Sequence, residues 1–385
     1  MKFIFDNTLR WMIALFFVAV PFNPYISGIT LYLWIFLVFA DTTFLSRLRI
    51  LSVRILAFIF LWMAVCFAAF NPFIAIKSAM IALGVSYFVL MKDEVAKKVY
   101  FCFILSIIWC LLQFTAFFID KSIAMEMGPK NMSQLIWGSL ATKTSSNQFA
   151  LFLFPRMSGL SREAGFFASL LAIIFLIRIR EGKLNKKEKF LFTAGYLASL
   201  SKASLALIIV LLLRPFKRFI NKIPNQFTFG LVFIFFMVVA SYLNVGSPSF
   251  YTANESLAHR LSASYMIQHM SIGNLIFGCD VDYTCFDYRN RGLVDFLMSR
   301  GGGFTPNVGI NGVFINLGVL GFLGVAFGFQ LLNFKSFDVL ILVIFTSTVS
   351  LFTIDGFVIA MYYYIFTGQS ITTRLQASAS TANAP

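Results

Sequence analysis

The chain has 385 residues, of which 59% are hydrophobic and only 12% charged, and its mean hydropathy is +0.83. That excludes disorder and an ordinary soluble enzyme, which carries roughly 25% charged residues. A formal charge of +15 would point a soluble protein toward nucleic acid; in a chain this apolar it first asks on which side of a membrane the charges sit.

Apolar runs occupy 11–26, 28–40, 50–70, 73–91, 99–119, 149–179, 190–213, 227–245, 307–332 and 339–366. A bilayer is crossed by about 20 apolar residues. Several runs are too long or too short for one span, so the fold class expected is an all-α polytopic membrane protein with ten to twelve helices. The clusters Arg47/Arg49/Arg54, Lys92/Lys97/Lys98, 178–189 and 214–222 read as cytoplasmic, and 178–189 is the strongest, with six bases against two acids. Asn23-Pro24, Asn71-Pro72, 120–147 and 246–306 then face outward. The last has five acids and four arginines, without the cytoplasmic excess. The organisation is therefore a transmembrane region over 1–245 with an outer loop at 120–148, a large periplasmic loop over 246–306, transmembrane helices over 307–366 and a polar tail over 367–385.

The positive charge is thus largely a topology signal, which removes nucleic acid as a partner. No small-residue cleavage site precedes Asn23-Pro24, so the first helix is read as its own insertion signal. Cys66, Cys102 and Cys110 lie in apolar spans as packing residues. Cys279 and Cys285, in CDVDYTC of the outer loop, are either bridged or free.

Two runs resist a simple span. The run 190–213 has basic clusters at both ends, and a break at Ser201-Lys202 would let two short helices dip in and return, with Lys202 at the turn. Non-helical backbone at that depth needs protein or a water-filled cavity around it. The run 339–366, with Thr353, Asp355 and Gly356, is one tilted helix or two short ones, and that choice decides the side of the tail.

Ionisable groups in membrane segments are functional candidates. In FPRMSGLSREAGFFASLLAII, Pro155, Gly159 and Gly165 oppose a continuous helix, placing Arg156, Arg162 and Glu163 at an outward-side break. Arginine suits anionic phosphate through bidentate hydrogen bonds; an internal salt bridge with Glu163 is the plainer alternative. Lys202 lies mid-run and either lines a cavity or snorkels. The outer loop adds His259, Arg260, His269, Arg289 and Arg291, and 289–300 reads as a basic flap ahead of three glycines. Asp280 and Asp282 could hold a divalent cation, although solvated surface is the plainer reading, and no cofactor or metal is expected. Walker, Rossmann, zinc-site and nucleophile-elbow patterns do not occur.

RMSGLSREA at 156–164, SKAS at 201–204 in a broken apolar run, and a large outer loop carrying Arg260 together resemble the O-antigen polymerase and ligase superfamily. The RxxGxxxEP-like segment resembles the polymerase (Wzy) branch, departing at Ala164, where Pro is common, and at Lys202, where Ser-Arg is usual. The loop's end, Thr305-Pro306-Asn307 before a glycine-rich helix, lacks the His-Asn common in ligases. The resemblance implies a GT-C-like glycosyltransferase in the bacterial inner membrane, independent of metal and nucleotide. It would transfer a growing glycan from undecaprenyl diphosphate to the non-reducing end of an incoming lipid-linked repeat unit, beside a chain-length regulator. Arg156, Arg162, Lys202 and Arg260 would hold the diphosphate, and Glu163 or His259 would take the hydroxyl proton. Arg289, Arg291 and Asn307 are further loop candidates. The alternatives are a ligase with a lipid A-core acceptor, and a lipid or polysaccharide flippase in which the cations line a path.

Overall fold

The computed structural model describes residues 2–26, 29–48, 53–142, 155–199, 201, 204–279, 283–286, 291–299 and 306–368. Lys202, Asp280, Asp282, Arg289 and Arg300 lie outside these residues. Apart from an antiparallel pairing of Tyr25–Ile26 with Ile29–Thr30, the regular structure among the described residues is helical. The first part of the chain forms α1 (Lys2–Val18), α2 (Leu33–Val38), α3 (Thr42–Arg47), α4 (Val53–Ala68), α5 (Pro72–Leu90), α6 (Lys92–Ile119), α7 (Lys121–Glu126) and α8 (Pro129–Trp137). The middle forms α9 (Ala164–Arg180), α10 (Lys186–Ser199), α11 (Ser204–Leu213), α12 (Lys217–Ile220) and α13 (Asn225–Tyr242). After these come α14 (Pro248–Ala253), α15 (Glu255–Ile267), α16 (Ile272–Phe277), α17 (Gly292–Ser299), α18 (Gly309–Leu331), α19 (Ser336–Thr346) and α20 (Gly356–Thr367).

Four helices, α5, α6, α13 and α18, are long and apolar enough to cross a membrane, and Ile55–Ala68, α19 and α20 are shorter apolar helices. This is the make-up of an all-α membrane protein. Several expected boundaries move. The run 28–40 yields only the short α2, and Lys92, Lys97 and Lys98, read as a loop, lie inside α6. The run 190–213 falls within two helices, α10 and α11, broken between Ser199 and Ser204. The run 339–366 is also two helices, with 347–355 non-helical between α19 and α20. The stretch read as a flap contains α17, where Leu293, Val294 and Leu297 are buried and Arg291 pairs with Asp295 at 3.4 Å. Turn residues read as outward punctuation are buried and structural: Asn23 donates from Nδ2 to Phe16 O at 2.9 Å and accepts from Leu33 N–H at 2.8 Å.

Packing groups the chain into two compact units, one comprising 1–49, 80–209 and 355–385, the other 50–79 and 210–354. In the first, α1 lies against α6, α10 against α6 and α9, and α20 along α9. Arg10 pairs with the buried Asp41 at 2.9 Å, and Asp41 also accepts from Tyr87 OH and caps α3 through the Thr43 and Phe44 amides. At one end of this unit the pattern Asn185-x-x-Glu188 forms the reciprocal cap of α10, Glu188 N–H to Asn185 Oδ1 at 2.8 Å and Asn185 N–H to Glu188 Oε2 at 3.0 Å. Burial alone would raise the Glu188 pKa; bonds from Tyr100, the Asn185 amide and Arg178 outweigh it and hold the carboxyl below its ordinary value.

The pairing of α9 with α20 is parallel. Asp355, just before α20, lies within electrostatic reach of Arg162 and Glu163, just before α9. At the other end, Arg180 donates to Tyr364 O and Thr367 Oγ1 and stacks over the Tyr364 ring at 4.4 Å. The end of α20 therefore sits beside the basic segment 178–189.

In the second unit, 61% of the most apolar stretch of α18 is buried inside the protein against 17% for α13, so α18 is central and α13 presents its surface to lipid. Residues 246–306, expected as one polar loop, carry α14 to α17, and α15 packs on α13 and α18. Cys279 and Cys285 form a disulfide. The Cys279 amide donates to Ile315 O at 2.6 Å, and Asn71 Nδ2 donates to Cys279 O at 3.1 Å and Asn316 O at 2.9 Å. Gly318, at φ +61° inside α18, makes this possible: a Cβ there would lie 2.2 Å from Ile276 O.

Two outcomes follow from these contacts. Alkylation of the unfolded, unreduced protein should label three of the five cysteines, and all five after reduction. With 178–189 on the cytoplasmic side, as its charge predicts, a reporter fused after Thr367 should fluoresce as a cytoplasmic fusion and give no periplasmic phosphatase activity.

Candidate functional site

Residues 155–163, ahead of α9, are non-helical. Every interruption of a helix in apolar surroundings frees peptide groups that need new partners, and here other helices of the same unit supply them. The Met157 amide donates to Ala198 O at 3.0 Å, and the Val20 amide to Leu160 O at 3.0 Å. The Gly159 amide donates to Gln113 Oε1 at 3.1 Å and the Leu160 amide to Ser106 Oγ at 3.0 Å. Gln113 also donates to Met127 O at 2.6 Å, joining the segment to the turn before α8. Gly159 adopts φ +55°, and a Cβ on it would lie 2.7 Å from Ser106 O, so the glycine of the RMSG pattern is required by close approach as well as by its backbone. Met157, Ser158, Leu160 and Ser161 are buried, and the half-buried Arg156 and Arg162 flank them.

The segment brings three of the expected residues together. Glu163 lies within electrostatic reach of both Arg156 and Asp355. Glu163 nonetheless forms no ion pair within 4.0 Å among the described residues, so the internal salt bridge weighed from the sequence is not what occupies it. The Arg162 guanidinium lies over Phe166 at 4.0 Å, a contact of about 0.5–2 kcal/mol depending on desolvation. Phe166 meets Phe357 edge to face at 5.4 Å, and the Phe357 amide donates to Asp355 Oδ1 at 3.1 Å.

Four buried polar atoms around this segment have no hydrogen-bond partner among the described residues: Arg156 Nε, Ser158 Oγ, Arg162 Nε and Asp355 Oδ2. Buried polar groups are nearly always paired, so a group of them marks a place built for something else. Two donate from guanidinium, one is a hydroxyl, and one is a carboxylate oxygen. A matching ligand offers acidic oxygens to the arginines and a donor to the carboxylate.

The remaining candidates are placed elsewhere. The end of α10 at Ala198 meets Met157, four residues before Lys202, but Lys202 itself lies outside the described residues, as does Arg289. His259 and Arg260, on α15, belong to the second unit, where Arg260 lines a small pocket with Phe236, Ser264, Asn311 and Ser347. Arg291 pairs with Asp295, and Asn307 lies in the turn before α18. No group of three or more His, Cys, Asp or Glu side chains suited to a metal occurs among the described residues. The sequence reading passed over Asp355, Ser158 and Gln113 as site residues. Asp355-Gly356 ahead of an apolar run is an N-cap signal, yet it was read only as a helix break.

Comparison of this chain with protein-family models, curated proteins and solved structures finds no match.

Gly159→Ala tests the stitching of the segment. The left-handed backbone alone costs about 1–2 kcal/mol with a Cβ, and the approach to Ser106 O adds to it, so the variant should unfold at lower temperature in detergent and lose function. Gly182→Ala, also at positive φ but with open space around the Cβ, should lose stability without losing function.

Proposed function

We propose that this chain is an O-antigen polymerase of the Wzy type, a GT-C-like glycosyltransferase of the bacterial inner membrane. It joins undecaprenyl-diphosphate-linked repeat units by moving the growing glycan onto the non-reducing end of a new unit. The observation that carries this reading is the set of unpaired polar atoms on Arg156, Ser158, Arg162 and Asp355 at the N-terminal ends of two parallel helices, α9 and α20.

Cationic donors fixed in place before reaction stabilise charge as it develops, most strongly where water is excluded. A leaving lipid diphosphate needs that stabilisation and no nucleotide. Two helix N-termini add partial positive charge at the same place. Glu163 holds the field near Arg156 and is a candidate to receive the proton of the attacking hydroxyl. From the sequence, Lys202 is a further cation for the diphosphate, and Arg260 and His259, in the second unit, are its candidates for a cation and a proton acceptor. The missing His-Asn at 305–307 favours polymerase over ligase.

The test is the chain purified in nanodiscs with lipid-diphosphate-linked repeat units, its products resolved by length. A ladder of longer glycans is expected, and movement of lipid without bond formation would establish a flippase instead. In cells, loss of the gene should leave single repeat units on the lipid A core; a core stripped of glycan would identify a ligase. Arg156→Ala and Arg260→Ala should each lower transfer about 100-fold or more, the scale for losing one preorganised donor, with normal membrane insertion.

A further inference from the structure

Asp355 carries a buried carboxylate at the start of α20. It stands at the N-cap of α20 in extended backbone (φ −150°, ψ 154°), with only 4% of its surface exposed. Capping uses one oxygen: Oδ1 accepts the Phe357 amide at 3.1 Å. The other, Oδ2, is buried with no partner. Leaving a buried acceptor unpaired costs about 1–3 kcal/mol, and Ser, Thr or Asn would cap as well with less to desolvate. A carboxylate therefore has a use here that capping does not explain.

Its neighbours indicate which use. Arg162 and Glu163 lie within electrostatic reach of Asp355, and so does Tyr32, which is itself within reach of Arg162. The contacts close a loop: Arg162 over Phe166, Phe166 edge-on to Phe357, and the Phe357 amide on Asp355. The carboxylate and the guanidinium are thus held near one another through Phe166 and Phe357, without an ion pair between them among the described residues. Glu163 differs. It is half-buried and has Arg156 as its charge neighbour, which fits it to orient that arginine.

We propose that Asp355, in place of Glu163 and His259, is the proton acceptor of the transfer reaction, its Oδ2 receiving the hydrogen of the attacking sugar hydroxyl. The proposal rests on the glycosyl-transfer reading above. As the hydroxyl oxygen bonds to the anomeric carbon, the bond from that carbon to the diphosphate oxygen breaks. The bonding pair leaves with the diphosphate, held by Arg156 and Arg162, and the hydroxyl proton ends on Asp355.

The test compares the full-length wild type with Asp355→Asn and Asp355→Ser in nanodiscs, using lipid-diphosphate-linked repeat units as substrate. Both replacements cap a helix as well as aspartate does, so melting temperature should stay close to that of the wild type. Turnover should fall about 100-fold or more, the scale of general-base catalysis, while KM changes less than about threefold. The rise of the wild-type rate with pH on the acid side should flatten in both variants. Turnover within threefold of wild type, or a raised KM with unchanged turnover, would overturn the proposal. If neither variant folds, the wild-type pH profile decides: a flat acid limb overturns it and a titrating limb supports it. Failure of the underlying reading shows differently, as wild-type protein that makes no polymer, and it removes the proposal too.

Discussion

A peptide group released from a helix inside an apolar environment has no water to turn to, and that constraint organises the first unit. Residues 155–163 leave helical geometry, and their amides are taken up by Gln113, Ser106 and the Ala198 carbonyl. These acceptors come from α6 and α10, so two helices must be in register before the segment can hold its shape. The segment in turn fixes where α9 starts and where Arg156, Arg162 and Glu163 stand. Replacing Gln113 by an apolar residue of similar size would remove the Gly159 N–H's acceptor and leave Met127 O with Trp109 Nε1 alone. The polar residues of α6 thus hold the site from a helix that begins more than sixty residues before it.

The same accounting separates structural from available charge. Asp41 is fully buried yet engaged by Arg10, Tyr87 and two amides. Glu188 is engaged by Tyr100, Arg178 and an amide. In both, each carboxylate oxygen accepts at least one hydrogen bond within the fold. Asp355 keeps one oxygen without a partner among the described residues, within electrostatic reach of Arg162, whose Nε is also unpaired among them. Burial of charge is therefore a poor guide to function here, whereas unsatisfied burial is an informative one.

Much of this was legible in the sequence, for identifiable reasons. Pro155 and Gly159 announce a helix break because one lacks an amide hydrogen and the other tolerates positive φ. Ser201 marks the gap between α10 and α11 for a similar reason of local composition. Helix ends were less legible, since Lys92, Lys97 and Lys98 form a charge cluster that looks like a loop although all three lie in the first two turns of α6. The Cys279–Cys285 bridge depends on α16 and α18 folding the loop back, which no spacing reveals. Asp355 was missed because its meaning lies nearly two hundred residues away, at Arg162; only the parallel packing of α9 and α20 joins them.

That pairing also sets an order of assembly. The first unit is interrupted at residue 209 and resumes at 355, with most of the second unit made in between. A ribosome delivering the chain into the membrane therefore completes Arg156, Arg162 and Glu163 long before their carboxylate partner exists. Until α20 arrives, α9 has an uncovered flank where Phe166 will meet Phe357, and two arginines lack the neighbour that fixes one of them. A nascent chain, or one truncated before residue 355, therefore presents Arg156, Arg162 and Glu163 without the carboxylate that the complete pairing of α9 and α20 brings near them.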